Sequence, residues 1–181
     1  RGSSIKSIDL HEIKIINVDA FYQCRQLESV VLSDSVKKID QYAFADCNKL
    51  NLRLPKYLEE LGSTSLNNIA SDTIIFPNTL KDYGVGKWYF CASSLPNVVY
   101  VEFPMTFYDA KDEGLLNGNT QSLKTVVFED NSKLTKLGQK CFYGCLSLAS
   151  VDFGENSILN LIDNEAFSGC ALRSIVIPNS V

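Results

Sequence analysis

The sequence predicts a solenoid of α/β type dominated by β-structure, in which about eight short strands stack into one parallel sheet. Three observations predict it. The segment at 20–36, AFYQCRQLESVVLSDSV, recurs at 43–58 as AFADCNKLNLRLPKYL and at 166–181 as AFSGCALRSIVIPNSV. The last apolar position of each unit falls at Leu10, Leu32, Leu54, Phe76, Phe103, Phe128, Phe153 and Ile177, in steps of 22, 22, 22, 27, 25, 25 and 24 residues. Periods of this size mark solenoids, whose units bury their apolar sides only by stacking. The third observation is local. Segments such as Val30-Val31-Leu32 and Val126-Val127-Phe128 are rich in β-branched and aromatic residues and alternate their sides with period two.

Each element of the unit follows from this spacing. At ~4.8 Å per strand, seven steps give a sheet of about 34 Å. The Ala-Phe segments, Asp40-Gln41-Tyr42-Ala43-Phe44 and 163–167, are expected to return the chain through short helical or 3-10 turns, with the Phe plugged between layers. The pairs Val36/Ile39, Leu58/Leu61 and Leu134/Leu137 lie three apart and predict a second extended or turn-like run on the outer face. Between residues 83 and 123 the repeat becomes irregular, with GVGKWYFCASSLPN at 84–97 and Gly114-Leu115-Leu116-Asn117-Gly118 in place of Ala-Phe. Trp88 lies there with Tyr83, Tyr89, Phe90, Tyr100, Phe107 and Tyr108. These aromatics read either as filling for an uneven core or as a binding patch, since insertions in repeats map to one face.

Composition narrows the function. The chain has 181 residues, 45 % of them apolar, and a net charge of −4, with a pI near 5.0. A nucleic-acid partner needs a clustered basic face, and the longest basic run is Lys37-Lys38, which reads as a solvated spot. No apolar stretch approaches the ~20 residues of a membrane helix, so no membrane insertion is expected. Residues 1–3, Arg-Gly-Ser, read as an expression remnant. Residues 4–181 read as one repeat domain, cut from a longer protein at both ends. Neither end carries a polar cap, so end-to-end self-association is expected.

The reactive residue types yield no catalytic constellation. Cys24/Cys47 and Cys145/Cys170 occupy one repeat position, 23 and 25 residues apart. Stacked equivalents would fall inside the disulfide window. Their side chains point the same way, however, and Ile69 takes the slot in the third repeat, so they are read as buried thiols. Cys141 fills an Ala slot beside Cys145, no Cys-x-x-Cys occurs and His11 is the sole histidine, which argues against a metal site. Asp112-Glu113 sits in an irregular loop with nothing to raise a carboxyl pKa. Gly84-Val85-Gly86-Lys87 lacks the spacing and the Ser/Thr of a phosphate loop. Neither an enzyme nor a cofactor is expected.

The pattern Ile-x-x-x-Ala-Phe-x-x-Cys-x-x-Leu-x-x-Val/Ile-x-Leu/Ile-Pro-x-x-Val, clearest at 39–58 and 162–181, resembles the BspA-type leucine-rich repeat, also found in treponemal surface proteins. The copies with Phe-Glu-x-Asn-Ser-x-Leu at 128–134 and Phe-Gly-Glu-Asn-Ser-Ile-Leu at 153–159 are similar to its longer variant. Departures are Ser65-Leu66 for Ala-Phe and Ile69 for Cys in the third repeat. The resemblance implies a right-handed leucine-rich-repeat coil, an extracellular or cell-surface location, and adhesion or binding of a host or matrix protein.

Positions between the inward residues of each strand define the exposed face. Three columns are expected. The first is Ser7, Ser29, Asn51, Thr73, Tyr100, Thr125, Ser150 and Ser174. The middle one is Asp9, Val31, Arg53, Ile75, Glu102, Val127, Asp152 and Val176. The third is His11, Ser33, Pro55, Pro77, Pro104, Glu129, Gly154 and Pro178. Val31, Arg53, Ile75, Tyr100, Glu102 and Val127, with Trp88 from the irregular segment, are the candidate protein-binding residues, Arg53, Ile75 and Tyr100 being the anchors. The exposed Val and Ile are equally explained by strand propensity. The expected function is a non-catalytic protein-binding module, and the alternative is a spacer array without its own ligand.

Overall fold

The structure is a computed structural model and describes residues 3–81, 100–103 and 121–181. Eleven short strands occur among them: β1 Ser7–Leu10, β2 Ile15–Ile16, β3 Ser29–Leu32, β4 Lys38–Ile39, β5 Glu60–Leu61, β6 Thr73–Ile75, β7 Tyr100–Phe103, β8 Thr125–Phe128, β9 Lys136–Leu137, β10 Ser150–Asp152 and β11 Leu161–Ile162. Every pairing between them is parallel. The chain divides into two compact units, residues 1–72 with 77–97, and residues 73–76 with 98–181.

In the first unit β1 pairs with β3, and Asn51 continues that ladder as a single bridge to Ser29. A second ladder, β2-β4-β5, runs through the predicted second extended run and stacks Ile16, Ile39 and Leu61 in register. The apolar landmarks converge between the ladders: Leu27, Val36, Ile39, Phe44, Cys47, Leu50, Leu58 and Leu61 are buried. The second unit repeats the plan. Its main sheet has the order β10-β8-β7-β6, and its second ladder is β11-β9. Val101, Val126, Phe128, Leu134, Leu137, Phe142 and Leu148 fill its core.

The expected helical or 3-10 turns are absent among the described residues, and the reason is in the backbone. Each Ala-Phe segment carries two left-handed residues four apart: Asp19 and Gln23, Tyr42 and Asp46, Thr64 and Asn68, Lys140 and Gly144, Glu165 and Gly169. Each such pair marks the third position of i→i+3 turns, as in Ala43 N–H to Asp40 O and Cys47 N–H to Phe44 O. That is the geometry of type II turns, and a positive φ at every fourth residue cannot continue a helix. The intervening N–H groups point to the next coil: Tyr42, Phe44 and Asp46 donate to the carbonyls of Ser63, Ser65 and Asn67 at 3.4, 2.9 and 2.9 Å. The turns therefore form a hydrogen-bonded ladder of their own. Their Phe rings stack in it, Phe21 on Phe44 with centroids 5.2 Å apart and Phe142 on Phe167 at 5.5 Å.

The main sheet also differs from the eight expected strands. Six of those positions form strands, β1, β3, β6, β7, β8 and β10. At the third position a side chain replaces the ladder. The buried Ser71 hydroxyl accepts from the Leu52 N–H at 2.9 Å and donates to the Leu52 carbonyl at 3.4 Å. The segment at 174–177 forms no ladder, and nothing in the structure explains that difference.

Candidate functional site

In the second unit β6, β7, β8 and β10 lie in direct register, so their outward positions align across the strands. Ile75, Glu102, Val127 and Asp152 form one column, and Thr73, Tyr100, Thr125 and Ser150 form its neighbour. The alternation that buries Ile74, Val101 and Val126 sends these residues outward. Ile75 is 53 % exposed, Asp152 is exposed, and Tyr100, Glu102 and Val127 are half-buried.

Tyr100 and Glu102 are two residues apart on one strand and therefore share a face. The Tyr100 hydroxyl donates to Glu102 Oε2 at 2.7 Å. That hydrogen bond, with partial burial and the negative charges of Glu102 and Asp152, pushes the phenol up to about 12. Asp152 in turn accepts from the Gly154 N–H at 2.9 Å. Among the described residues no cation pairs with Glu102 or Asp152. The unit's ion pairs lie elsewhere, Lys136 with Asp163 at 2.9 Å and Lys140 with Glu165 at 3.9 Å.

The structure thus brings Ile75, Tyr100, Glu102 and Val127 onto one sheet face. Val31 and Arg53 belong to the first unit. There Val31 is 49 % exposed and in register with Asp9. Arg53 is exposed but lies on the strandless stretch beside Leu52. Pro55, expected in the outward third column, is buried. Trp88 and most of the aromatic group around it lie outside the described residues. His11 and Asp9 make an exposed contact at 3.2 Å. Among the described residues no three His, Cys, Asp or Glu side chains come together as a metal site, and no helix is long and apolar enough to cross a membrane.

One feature of the first unit escaped the sequence reading. Lys37, Glu59 and Lys81 occupy one repeat position, each donating its N–H to the coil before it. Lys81 reaches Glu59 Oε2 at 2.8 Å and Lys37 reaches Oε1 at 3.4 Å. These two hydrogen bonds, Lys81 first, hold the Glu59 carboxyl below its ordinary range. The ammoniums of Lys37 and Lys56 also lie 5.3 and 5.2 Å from the centre of the exposed Tyr57 ring. The 22-residue spacing of Lys37, Glu59 and Lys81 was the available signal. Its charges largely satisfy one another and brace the coils.

Parallel strands stacked at this period define the chain as a leucine-rich-repeat solenoid. The model of the BspA-type leucine-rich repeat region matches it in six copies, over residues 14–109 and 117–181, and the chain belongs to that family. Among solved structures it is similar to the T. pallidum leucine-rich repeat protein, at 24 % identity and a TM-score of 0.69, covering 88 % of this chain and 74 % of that one. It is also similar to a leucine-rich repeat protein of Bacteroides ovatus, at 24 % identity and a TM-score of 0.60, covering 94 % of this chain and 48 % of that one. The chain thus spans about half the length of the B. ovatus protein. At these identities both likenesses bear on the fold. No curated protein sequence matches the chain.

Proposed function

We propose that this chain is a non-catalytic protein-binding module that works outside the cell or at its surface, in adhesion or in the capture of a host protein. The observation that carries the reading is the register of β6, β7, β8 and β10, which sets a row of apolar and charged side chains beside a row of hydroxyls on one sheet face. A β-branched residue as exposed as Ile75, next to an aromatic such as Tyr100, is the composition of a contact surface. Both side chains stand on a paired strand, so their geometry is fixed before binding. Family membership supports a binding or structural module in general.

The test is capture of matrix and serum proteins by the immobilised chain and by an Ile75→Ser/Tyr100→Ser double variant, with Arg53→Ala assayed separately. The double variant is expected to lose capture while still unfolding in one cooperative transition, its Tm lowered only by the loss of the Tyr100–Glu102 hydrogen bond. Capture that survives both variants would remove the site assignment. A chain that captures nothing, and whose effect depends on repeat number alone, would support the spacer reading.

A further inference from the structure

We propose that the partner segment received by the second unit's sheet face is a cationic amphipathic helix, with basic side chains at i and i+7 and an apolar side chain between them. The inference rests on the reading of this face as a protein-binding surface and adds the chemistry of its occupant. The middle column alternates in the order Ile75, Glu102, Val127, Asp152. The two carboxylates are therefore two strands apart, about 10 Å at the usual strand spacing.

Charge complementarity selects the occupant. Neither carboxylate has an ion pair among the described residues, and the ion-paired lysines of this unit, Lys136 and Lys140, are held by Asp163 and Glu165. The Tyr100 hydroxyl holds Glu102 at the surface, and the Gly154 N–H does the same for Asp152. Both donors leave carboxylate lone pairs for a charged donor from outside. A partner's Lys or Arg side chains would complete charge-assisted hydrogen bonds at Glu102 and Asp152. The apolar residue between them would cover Val127.

Spacing then selects the helix over an extended chain. An extended segment repeats its side chains on one face every ~6.8 Å, and neither one nor two such steps give about 10 Å. Seven residues of α-helix rise ~10.5 Å and return to nearly the same face, with positions i+3 and i+4 between. The column matches that repeat.

The probe is a synthetic helical peptide with Lys at i and i+7 and Leu at i+3 and i+4. Its controls are a peptide of the same composition with scrambled order and one with Glu in place of each Lys. Binding to the full chain is read by fluorescence anisotropy at low salt and in 0.5 M NaCl. The Lys peptide is expected to bind at least tenfold more tightly than either control, and salt should weaken it. Glu102→Gln/Asp152→Asn should lower its affinity about tenfold, and Glu102→Lys/Asp152→Lys should turn the preference to the Glu peptide. Equal binding of ordered and scrambled peptides, or no response to either double variant, overturns the proposal. The same variants in the matrix-protein capture assay separate the two readings. If Ile75→Ser/Tyr100→Ser abolishes capture and Glu102→Gln/Asp152→Asn leaves it intact, the cationic-helix proposal fails and the sheet-face reading stands. If neither pair alters capture, both fail.

Discussion

Cys47 donates its thiol proton to the main-chain carbonyl of Phe21, 26 residues earlier, at 3.0 Å. Cys170 makes the same bond to Phe142 at 3.2 Å. In each case the accepting carbonyl also closes a turn of its own coil, to Cys24 N–H and to Cys145 N–H. The recurring cysteine therefore links one coil to the turn of the coil before it. Burial pushes the Cys47 thiol up to about 12 and the Cys170 thiol up to about 11. A thiol in that state is a poor nucleophile at neutral pH. Cys47 is expected to resist alkylation at pH 8 in the folded protein and to react at the rate of a free thiol in urea. Peptide mapping after timed labelling checks this, and rapid native labelling of Cys47 would overturn it.

The stacked Phe rings predict where stability is concentrated. Phe44 is fully buried and lies parallel to Phe21, with 4° between the ring planes. Phe44→Ala removes the ring and leaves a cavity between coils that are fixed by backbone ladders and cannot collapse. A loss of about 3–5 kcal/mol is expected in urea denaturation. Tyr143→Ala, on the exposed side of an equivalent turn, should cost no more than about 0.5 kcal/mol.

How much of this was legible in the sequence depended on whether the signal lay in side-chain period or in backbone detail. Val30, Leu50 and Phe128 announced their burial by spacing alone, and the strand register followed once the repeats were aligned. The turn face is hidden in the sequence, because Asp40-Gln41-Tyr42-Ala43-Phe44 has no glycine to mark a left-handed residue. Tyr42 nevertheless adopts φ 56°, held by bonds on either side of it. The equivalent Gly144 and Gly169 carry that signal, with φ 71° and 77°. The face formed by Ile75, Glu102 and Val127 was legible as alternation, whereas the Tyr100–Glu102 bond required the structure.

Two glycines separate backbone strain from close approach. Gly169 has φ 77°, and an added Cβ would meet nothing nearer than the Gly144 Cα at 3.5 Å. Gly169→Ala should therefore cost only the left-handed penalty, about 1–2 kcal/mol. Gly62 has an ordinary φ, but a Cβ there would run into the backbone nitrogen of Gln41 in the preceding coil. Gly62→Ala must push two coils apart and is expected to lower Tm further than Gly169→Ala. The reverse order in calorimetry would contradict this account of the coil spacing.

Stability should fall at both extremes of pH, for opposite reasons. Glu59 and Asp163 are held below their ordinary values of 4.5 and 3.8, chiefly by hydrogen bonds from Lys81 and Lys136. Their contribution is complete above those values and is lost as the pH falls below them. Both groups are only half-buried, so the acid limb is expected to be shallow and to weaken further in salt. Tyr100 is displaced upward from 10.0 to about 12, so its contribution is complete below pH 10 and disappears as the pH rises to about 12. Ultraviolet titration of the phenol checks the alkaline limb. Glu102→Gln, which removes the charge, should bring the Tyr100 transition back toward 10.

Two buried serines in neighbouring turns should respond to the same substitution with opposite signs. Ser71 stands in for a strand, its hydroxyl serving both the N–H and the carbonyl of Leu52. Ser71→Ala leaves that N–H buried without a partner, which costs about 1–3 kcal/mol. Ser65 fills the slot that holds Ala43 in the preceding repeat, and its buried hydroxyl has no partner among the described residues. Ser65→Ala removes an unsatisfied polar atom, and a gain of about 1 kcal/mol is expected. Urea denaturation of the two single variants and of the double variant tests both. Because the serines share no partner, the double variant should sit near the sum of its parts. If Ser65→Ala destabilises the protein, the Ser65 hydroxyl has a role that its surroundings do not show.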